Sequence, residues 1–272
     1  MFPKVVKAYL EQGYRLDMGN PSRLYARLID ANTNLPVSTG GGCSPSDALL
    51  FTAISRTISP KAIFIIGNAF GLSTFILADI FPESQIDVID AEIEGADNSL
   101  GSSLTRRIAA THYPNVHLTT GYSPQDLGQA TRSTKYQFAF VDGLHTDAQM
   151  IADFDGLRPI LDDSAVVIFH DVALCWMTAA WQHVERVAKS EGYATHQLGF
   201  TQFGLCAIVR EMPELADYFA TIASDFGRNR YHLGVPLLPP PNRPKIWTKS
   251  AYQIERYLVN KVRGILGKPP SW

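Results

Sequence analysis

Two kinds of apolar pattern alternate between residues 62 and 209. Short runs rich in β-branched and aromatic residues predict strands at Ala62–Ile66, Ile86–Ile89, Val116–Thr119, Phe138–Val141 and Ala165–Phe169. Stretches with helical spacing separate them: Leu72–Ile80, Ser103–Ala110, Gln125–Ala130, Asp147–Ile160 and Trp176–Ser190. His196–Phe200 and Leu205–Val209, joined by Thr201-Gln202-Phe203-Gly204, predict a closing hairpin. Strands alternating with helices imply parallel β-α units with right-handed crossovers. The expected fold is therefore α/β and Rossmann-like, with a mostly parallel seven-stranded sheet, helices on both faces and an antiparallel strand added at the sheet edge by the C-terminal hairpin. In such sheets ligands bind beyond the carboxyl ends of the strands, so the loops there carry the candidate chemistry.

The ends of the chain read differently. Residues 1–40 predict one or two short helices and a loop rich in Asn, Pro and Thr, and Gly40-Gly41-Gly42 then forms a flexible joint. Ser44-Pro45-Ser46-Asp47 places cap-type residues before the apolar run Ala48–Ile54. This divides the chain into an N-terminal helical or lid segment (1–43), a core (44–212) and a C-terminal extension (213–272). In the extension Pro239-Pro240-Pro241 is a stiff linker, and a helix is expected from Ser250 to about Leu266. Ile254, Tyr257, Leu258, Val262 and Ile265 would share its apolar face. That face has three open destinations: the domain itself, a second subunit in a homo-oligomer, or an anionic membrane surface.

Composition narrows the function classes. The chain is 46% hydrophobic with a formal net charge of −2, which supports a large core and argues against nucleic acid as a partner. The balance is uneven, since residues 233–272 hold seven Lys/Arg and one Glu. Ala62 to Phe81 has the length of a membrane span, but Gly67-Asn68-Ala69-Phe70-Gly71 and Asp79 interrupt it. Met1 to Lys7 lacks the apolar region of a signal peptide. Cys43, Cys175 and Cys206 are scattered and form no CxxC pair, which suits a reducing compartment; a cytoplasmic location is expected.

The first chemical feature is the segment Gly67-Asn68-Ala69-Phe70-Gly71, between a predicted strand and a predicted helix. Glycines there let the backbone turn sharply and approach a ligand closely. Ala69 stands where the dinucleotide fingerprint has Gly, and no Gly-Lys-Ser/Thr follows, so neither a nicotinamide cofactor nor a P-loop is indicated. Asp90 ends the second predicted strand, where a carboxylate can accept hydrogen bonds from both ribose hydroxyls of an adenosine; Glu92 competes for that role.

Ile66-Gly67-Asn68-Ala69-Phe70-Gly71-Leu72-Ser73-Thr74 resembles motif one of class I S-adenosylmethionine (SAM)-dependent methyltransferases. The nearest branch is the methyltransferase domain 24 type, with macrolide-sugar O-methyltransferases and cephalosporin-hydroxylase-like proteins. Further segments follow in the family's order: Gly121-Tyr122-Ser123, Phe140-Val141-Asp142-Gly143-Leu144-His145, and Leu161 to Val172 with Phe169-His170-Asp171. The resemblance spans about residues 44–210. It implies the class I methyltransferase fold with SAM as cofactor, bound by Gly67, Asn68, Ala69, Gly71, Ser73, Asp90, Gly121, Ser123 and Asp142. The glycine loop would face the methionine half, Asp90 the ribose and Ser123 the adenine region. The family carries Glu or Asp two residues before the first glycine, whereas this chain has Ile65.

The second chemical feature is a cluster. Asp142 and His145 follow one predicted strand, and His170 and Asp171 end the next, so four side chains can converge on one cleft. Histidine, with an ordinary pKa of about 6.5, can take the proton of an attacking hydroxyl. His145 with Asp142 is thus the candidate catalytic pair, and the resemblance agrees. Asp142, His170 and Asp171 can equally hold a divalent metal, although imidazole suits Mn, Fe or Zn better than Mg²⁺. Metal dependence stays open at this point. The expected activity is O-methylation of a hydroxyl on a small molecule or sugar, with Tyr14, Tyr25, Trp247 and Tyr252 available to stack on the acceptor. Two other readings also stay open: a non-haem iron oxygenase using two His and one carboxylate, and a cofactor-binding module without catalysis, prompted by Ile65.

Overall fold

A computed structural model of the protein describes residues 2–17, 26–37, 43–93, 96–199, 201 and 204–223. Seven strands form the main sheet: β3 (Ala62–Ile66), β4 (Gln85–Asp90), β5 (Val116–Thr120), β6 (Tyr136–Val141), β7 (Leu161–Phe169), β8 (Ala194–Leu198) and β9 (Leu205–Arg210). Their spatial order is β5-β4-β3-β6-β7-β9-β8. β3 to β7 run parallel, and β9 pairs antiparallel with both β7 and β8. The expected sheet is therefore present with one adjustment. The antiparallel strand lies inside the sheet, and β8 forms the edge.

Each central strand is apolar on both sides because helices cover both faces. Along β3, Ile63 and Ile65 enter one core, while Ala62, Phe64 and Ile66 enter the other. The first core is closed by α1 (Pro3–Glu11), α2 (Pro45–Ile54), α3 (Leu72–Ile80), α4 (Ala96–His112) and α8 (Pro213–Ile222). The second is closed by α5 (Leu127–Ala130), α6 (Asp147–Leu157) and α7 (Thr178–Ser190). Helix α3 is buried almost all round, as its uniformly apolar sequence requires. It fills the part of the sequence that has the length of a membrane span. Among the described residues no helix is long and apolar enough to cross a membrane.

The N-terminal segment departs from expectation. After α1 comes a two-stranded antiparallel sheet, β1 (Tyr14–Asp17) and β2 (Arg27–Asp30), instead of a second helix or a plain loop. These strands are four residues each and mix charged with apolar positions, too short for a period to stand out. Tyr14 opens β1 and packs against the first core; Tyr25, Trp247 and Tyr252 lie outside the described residues. At the other end, α8 inserts Leu215 and Phe219 into the same core, so the domain continues past residue 212. Gly40-Gly41-Gly42, the Pro-rich linker and the helix expected from Ser250 also fall outside the described residues.

Helix α4 rests directly on the glycine loop after β3. A Cβ on Gly101 would stand 2.0 Å from the Ala69 carbonyl oxygen and 3.3 Å from Phe70 Cδ1. In an open helix, Gly→Ala stabilises by about 1 kcal/mol. Here the opposite sign is expected: Gly101→Ala lowers the melting temperature and weakens ligand binding at the loop, because α4 must retreat from it. A G101A variant as stable as the parent in thermal melts would contradict this packing.

Candidate active site

The site is built where β4, β3 and β6 end in step. Gly67 N–H donates to the Ile89 carbonyl (2.9 Å), and Asp142 N–H donates to the Ile66 carbonyl (2.8 Å). Gly67 adopts φ +91°, and a Cβ there would lie 2.1 Å from the Asp142 carbonyl oxygen. Only glycine fits both demands. Its missing side chain lets the glycine loop abut the end of β6, so that loop and Asp142 are neighbours. Ala69 also sits at positive φ (46°), which is unfavourable for a residue with a Cβ.

Several groups hold this loop. Asp90 Oδ2 accepts from the N–H groups of Asn68 (2.7 Å) and Ala69 (3.3 Å). Its Oδ1 accepts from Glu92 N–H (2.7 Å). The Asn68 amide donates to Thr105 Oγ1 and to the Ala69 carbonyl, and its oxygen accepts from Thr74. Tyr9 on α1 donates its hydroxyl to the Phe70 carbonyl (2.7 Å). Asn68 is thus engaged within the protein, Ser73 is buried in the first turn of α3, and Asp90 braces the glycine loop through two accepted hydrogen bonds and its own following turn through a third. Glu92 is less occupied: it accepts from Ser99 and Thr120 hydroxyls. Burial pushes its carboxyl up, but the hydroxyls of Ser102, Ser99 and Thr120 and the Arg106 cation outweigh that and lower it.

Gly121 N–H donates to the Asp90 carbonyl (2.9 Å), which ties the loop after β5 to the same edge. The Ser123 carbonyl accepts from Gln149 Nε2 (2.6 Å), and that amide also donates to Asp153 Oδ1 (2.8 Å). Asp153 on α6 is buried, and burial raises its carboxyl to about 6. Its place on the apolar stripe of Met150, Phe154 and Leu157 was the available signal for it in the sequence.

The four Asp and His side chains converge as expected. One ligand atom from each of Asp142, His145, His170 and Asp171 can be chosen so that all lie within 4.8 Å of one another. His145 Nε2 stands 3.2 Å from Asp142 Oδ1 and 3.6 Å from Asp171 Oδ2. His170 Nδ1 stands 3.0 Å from Asp142 Oδ1 and 3.3 Å from Asp171 Oδ1. Burial works against the charged form of every member. For both imidazoles the facing carboxylates outweigh it and raise the pKa, well above the ordinary value at His170. At Asp142 the imidazolium charge of His170, with His145, wins and holds the carboxyl below the ordinary range. At Asp171 burial wins and raises it. Asp171 also sits at φ +57°, so the backbone is bent to bring its carboxyl into the cluster.

A fifth member was not anticipated. Asp47, on the first turn of α2, places Oδ2 3.2 Å from His170 Nε2. Its sequence context marks a helix start, and nothing local tells that it reaches a residue 123 positions away.

The cluster has the form of a divalent-cation site. Asp171 Oδ1 is buried with no hydrogen-bond partner. Oxygen or nitrogen ligands about 2.1 Å from a cation and at right angles stand about 3 Å apart. The distances from His170 Nδ1 to Asp142 and Asp171 match that spacing. The residues present therefore fit a metal held by Asp142, His170 and Asp171.

Comparison with known proteins agrees with this architecture. Residues 64–172 match the model of a methyltransferase domain family. That segment of the chain is similar to a methyltransferase domain. The matched span runs from β3 to just past Asp171 and contains the glycine loop, Asp90, Asp142, His145 and His170, but not Asp47. An O-methyltransferase from Bacillus cereus, solved in complex with SAH, superposes with a TM-score of 0.52 at 16% identity, over 66% of this chain and 86% of that one. The O-methyltransferase TomG from Streptomyces achromogenes, involved in tomaymycin synthesis and solved with SAM, gives 0.50 at 16% identity, over 77% and 89%. These structures share the methyltransferase fold. No curated protein matches the chain in sequence.

The buried carboxyl of Asp153 makes a pH-dependent prediction for the domain. Its folded pKa of about 6 lies above the unfolded value, so its contribution is full below about pH 4 and is lost as pH rises through 6. Near neutral pH the ionised form costs up to about 3 kcal/mol. Asp153→Asn is expected to raise the melting temperature at pH 8 and to leave it unchanged or lower at pH 4. Thermal melts of both proteins across that range read the crossing directly.

Proposed function

We propose that the protein is a SAM-dependent O-methyltransferase acting on a hydroxyl of a small molecule or sugar. The observation that carries this reading is the contact between Gly67 and Asp142. It sets the loop expected to take the methionine half of the cofactor against the acid–base cluster at the end of β6. SAM supplies the methyl group from its sulfonium, and the acceptor hydroxyl gives up its proton as the new carbon–oxygen bond forms. His145 is the base. Its Nε2 is oriented by Asp142 and Asp171, and their charge stabilises the imidazolium once the proton has arrived. Asp90 supports the ribose side by fixing the loop, and Glu92 offers the freer carboxylate for the hydroxyls. Asp142, His170 and Asp171 would hold a divalent cation, which would supply positive charge beside the acceptor hydroxyl. The absence of an acid at Ile65 is compatible with this reading, because Ile65 is fully buried in the first core. The two remaining partner readings, a homo-oligomer and membrane contact through the basic tail, concern residues beyond 223.

Calorimetry with S-adenosylhomocysteine tests the cofactor. Binding tighter than about 1 mM is expected, and no heat at that concentration would sink the enzyme reading in favour of a module without catalysis. Radiolabel transfer from SAM to a panel of sugars and phenols then tests the reaction. With a responsive acceptor, His145→Gln should lower kcat by about 10²–10⁴-fold while leaving SAH affinity within about twofold. The raised His145 pKa fixes the pH limb: activity rises with pH through a value above 6.5, because only the neutral imidazole accepts a proton. Adding Mn²⁺ should move that limb to lower pH, since a cation offsets the carboxylates that raise it. Tightly held iron and oxygen consumption without methyl transfer would instead favour the oxygenase reading.

A further inference from the structure

The imidazole of His170 lies between two sets of oxygens. Nδ1 faces Asp142 and Asp171. Nε2 faces Asp47, which belongs to another element and lies outside the matched methyltransferase span. Asp47 is fully buried. Its Oδ2 also accepts the Ser44 backbone N–H at 2.9 Å, and its own N–H donates to Ser44 Oγ at 3.1 Å. This capping box sets the Asp47 rotamer from the helix side, independently of the cluster. The Asp47 Oδ1 atom is buried with no hydrogen-bond partner, a cost that a helix cap alone does not justify. The ring of Phe140 meets His170 edge-on at 5.7 Å and limits its rotation.

A carboxylate can accept a hydrogen bond but not donate one. The Asp47 contact therefore keeps a proton on Nε2 and leaves Nδ1 as the atom whose lone pair can be offered to the cluster. We propose that Asp47 is a positioning residue that fixes His170 as the Nε2–H form, so that Nδ1 serves as a ligand to a divalent cation shared with Asp142 and Asp171. This rests on the cation site of the reading above but not on methyl transfer. A carboxylate behind a ligating histidine is a recurrent arrangement, and its removal typically weakens metal binding 10–100-fold. The imidazole ligand further biases the site toward Mn²⁺, Fe²⁺ or Zn²⁺ over Mg²⁺.

The full-length chain, labelled with ¹⁵N, is titrated with Zn²⁺ and followed through the ring nitrogens of His170, with calorimetry of Zn²⁺ binding in parallel. Nε2 should stay protonated throughout while Nδ1 is the nitrogen that shifts. Asp47→Ala should weaken Zn²⁺ binding by about 10–100-fold. Asp47→Asn keeps an oxygen acceptor for Nε2–H and should recover most of the affinity. Ser44→Ala weakens the same cap but retains the carboxylate; it should lower the melting temperature without changing Zn²⁺ affinity. The proposal is overturned if Nε2 is the nitrogen that shifts, if Asp47→Ala binds Zn²⁺ like the parent, or if the parent binds none. The parent spectra decide even where Asp47→Ala does not fold. Loss of the Zn²⁺ signal with SAH binding intact removes this assignment alone, whereas loss of SAH binding with the Zn²⁺ signal intact removes the methyltransferase reading alone.

Discussion

The structure depends on a side chain that is missing. At Gly67 the chain leaves β3 at φ +91° with the Asp142 carbonyl where a Cβ would be. Any other residue would force β3 and β6 apart at their ends, and the strands carry the core on both faces. The same close approach decides what the edge can do chemically. It sets the glycine loop directly beside the end of β6, which carries Asp142. Fold and site are fixed by one contact, so they are gained or lost together.

Electrostatics then shapes the edge. Asp47, Asp142 and Asp171 surround two imidazoles; Asp47 and His170 are buried, and the other three side chains are partly buried. Two opposite charges about 4 Å apart attract by roughly 4 kcal/mol in such partly buried surroundings, enough to overcome the desolvation of several of these groups. The balance is uneven: it ionises Asp142 firmly and leaves Asp171 harder to ionise.

Much of this was legible in the residues. β3 and α3 fall where the apolar runs place them, Ala62–Ile66 and Leu72–Ile80, because a doubly buried strand and a fully buried helix leave no polar position to blur the pattern. The convergence of Asp142, His145, His170 and Asp171 followed from adjacent parallel strands. Other features were hidden for definable reasons. Helix α4 begins at Ala96, seven residues before its apolar spacing shows, because Asp97, Asn98 and Ser99 carry no hydrophobic signal. β1 and β2 are too short to show a period. The position of Asp90 at a strand end suggests a ligand contact, whereas its Oδ2 holds the Asn68 and Ala69 N–H groups of the glycine loop. Asp47 reached the site through tertiary packing, which no local pattern reports.

The hydroxyl of Tyr9 gives the N-terminal helix an importance its position does not suggest. Tyr9 is fully buried, packs edge-on against Phe75 and holds the Phe70 carbonyl within the glycine loop. A boundary drawn before residue 44, natural from sequence alone, would cut that tether and expose the apolar back of α3. The smallest unit worth expressing or crystallising thus starts upstream of the recognisable domain, and an event that draws α1 away would be felt first at the loop.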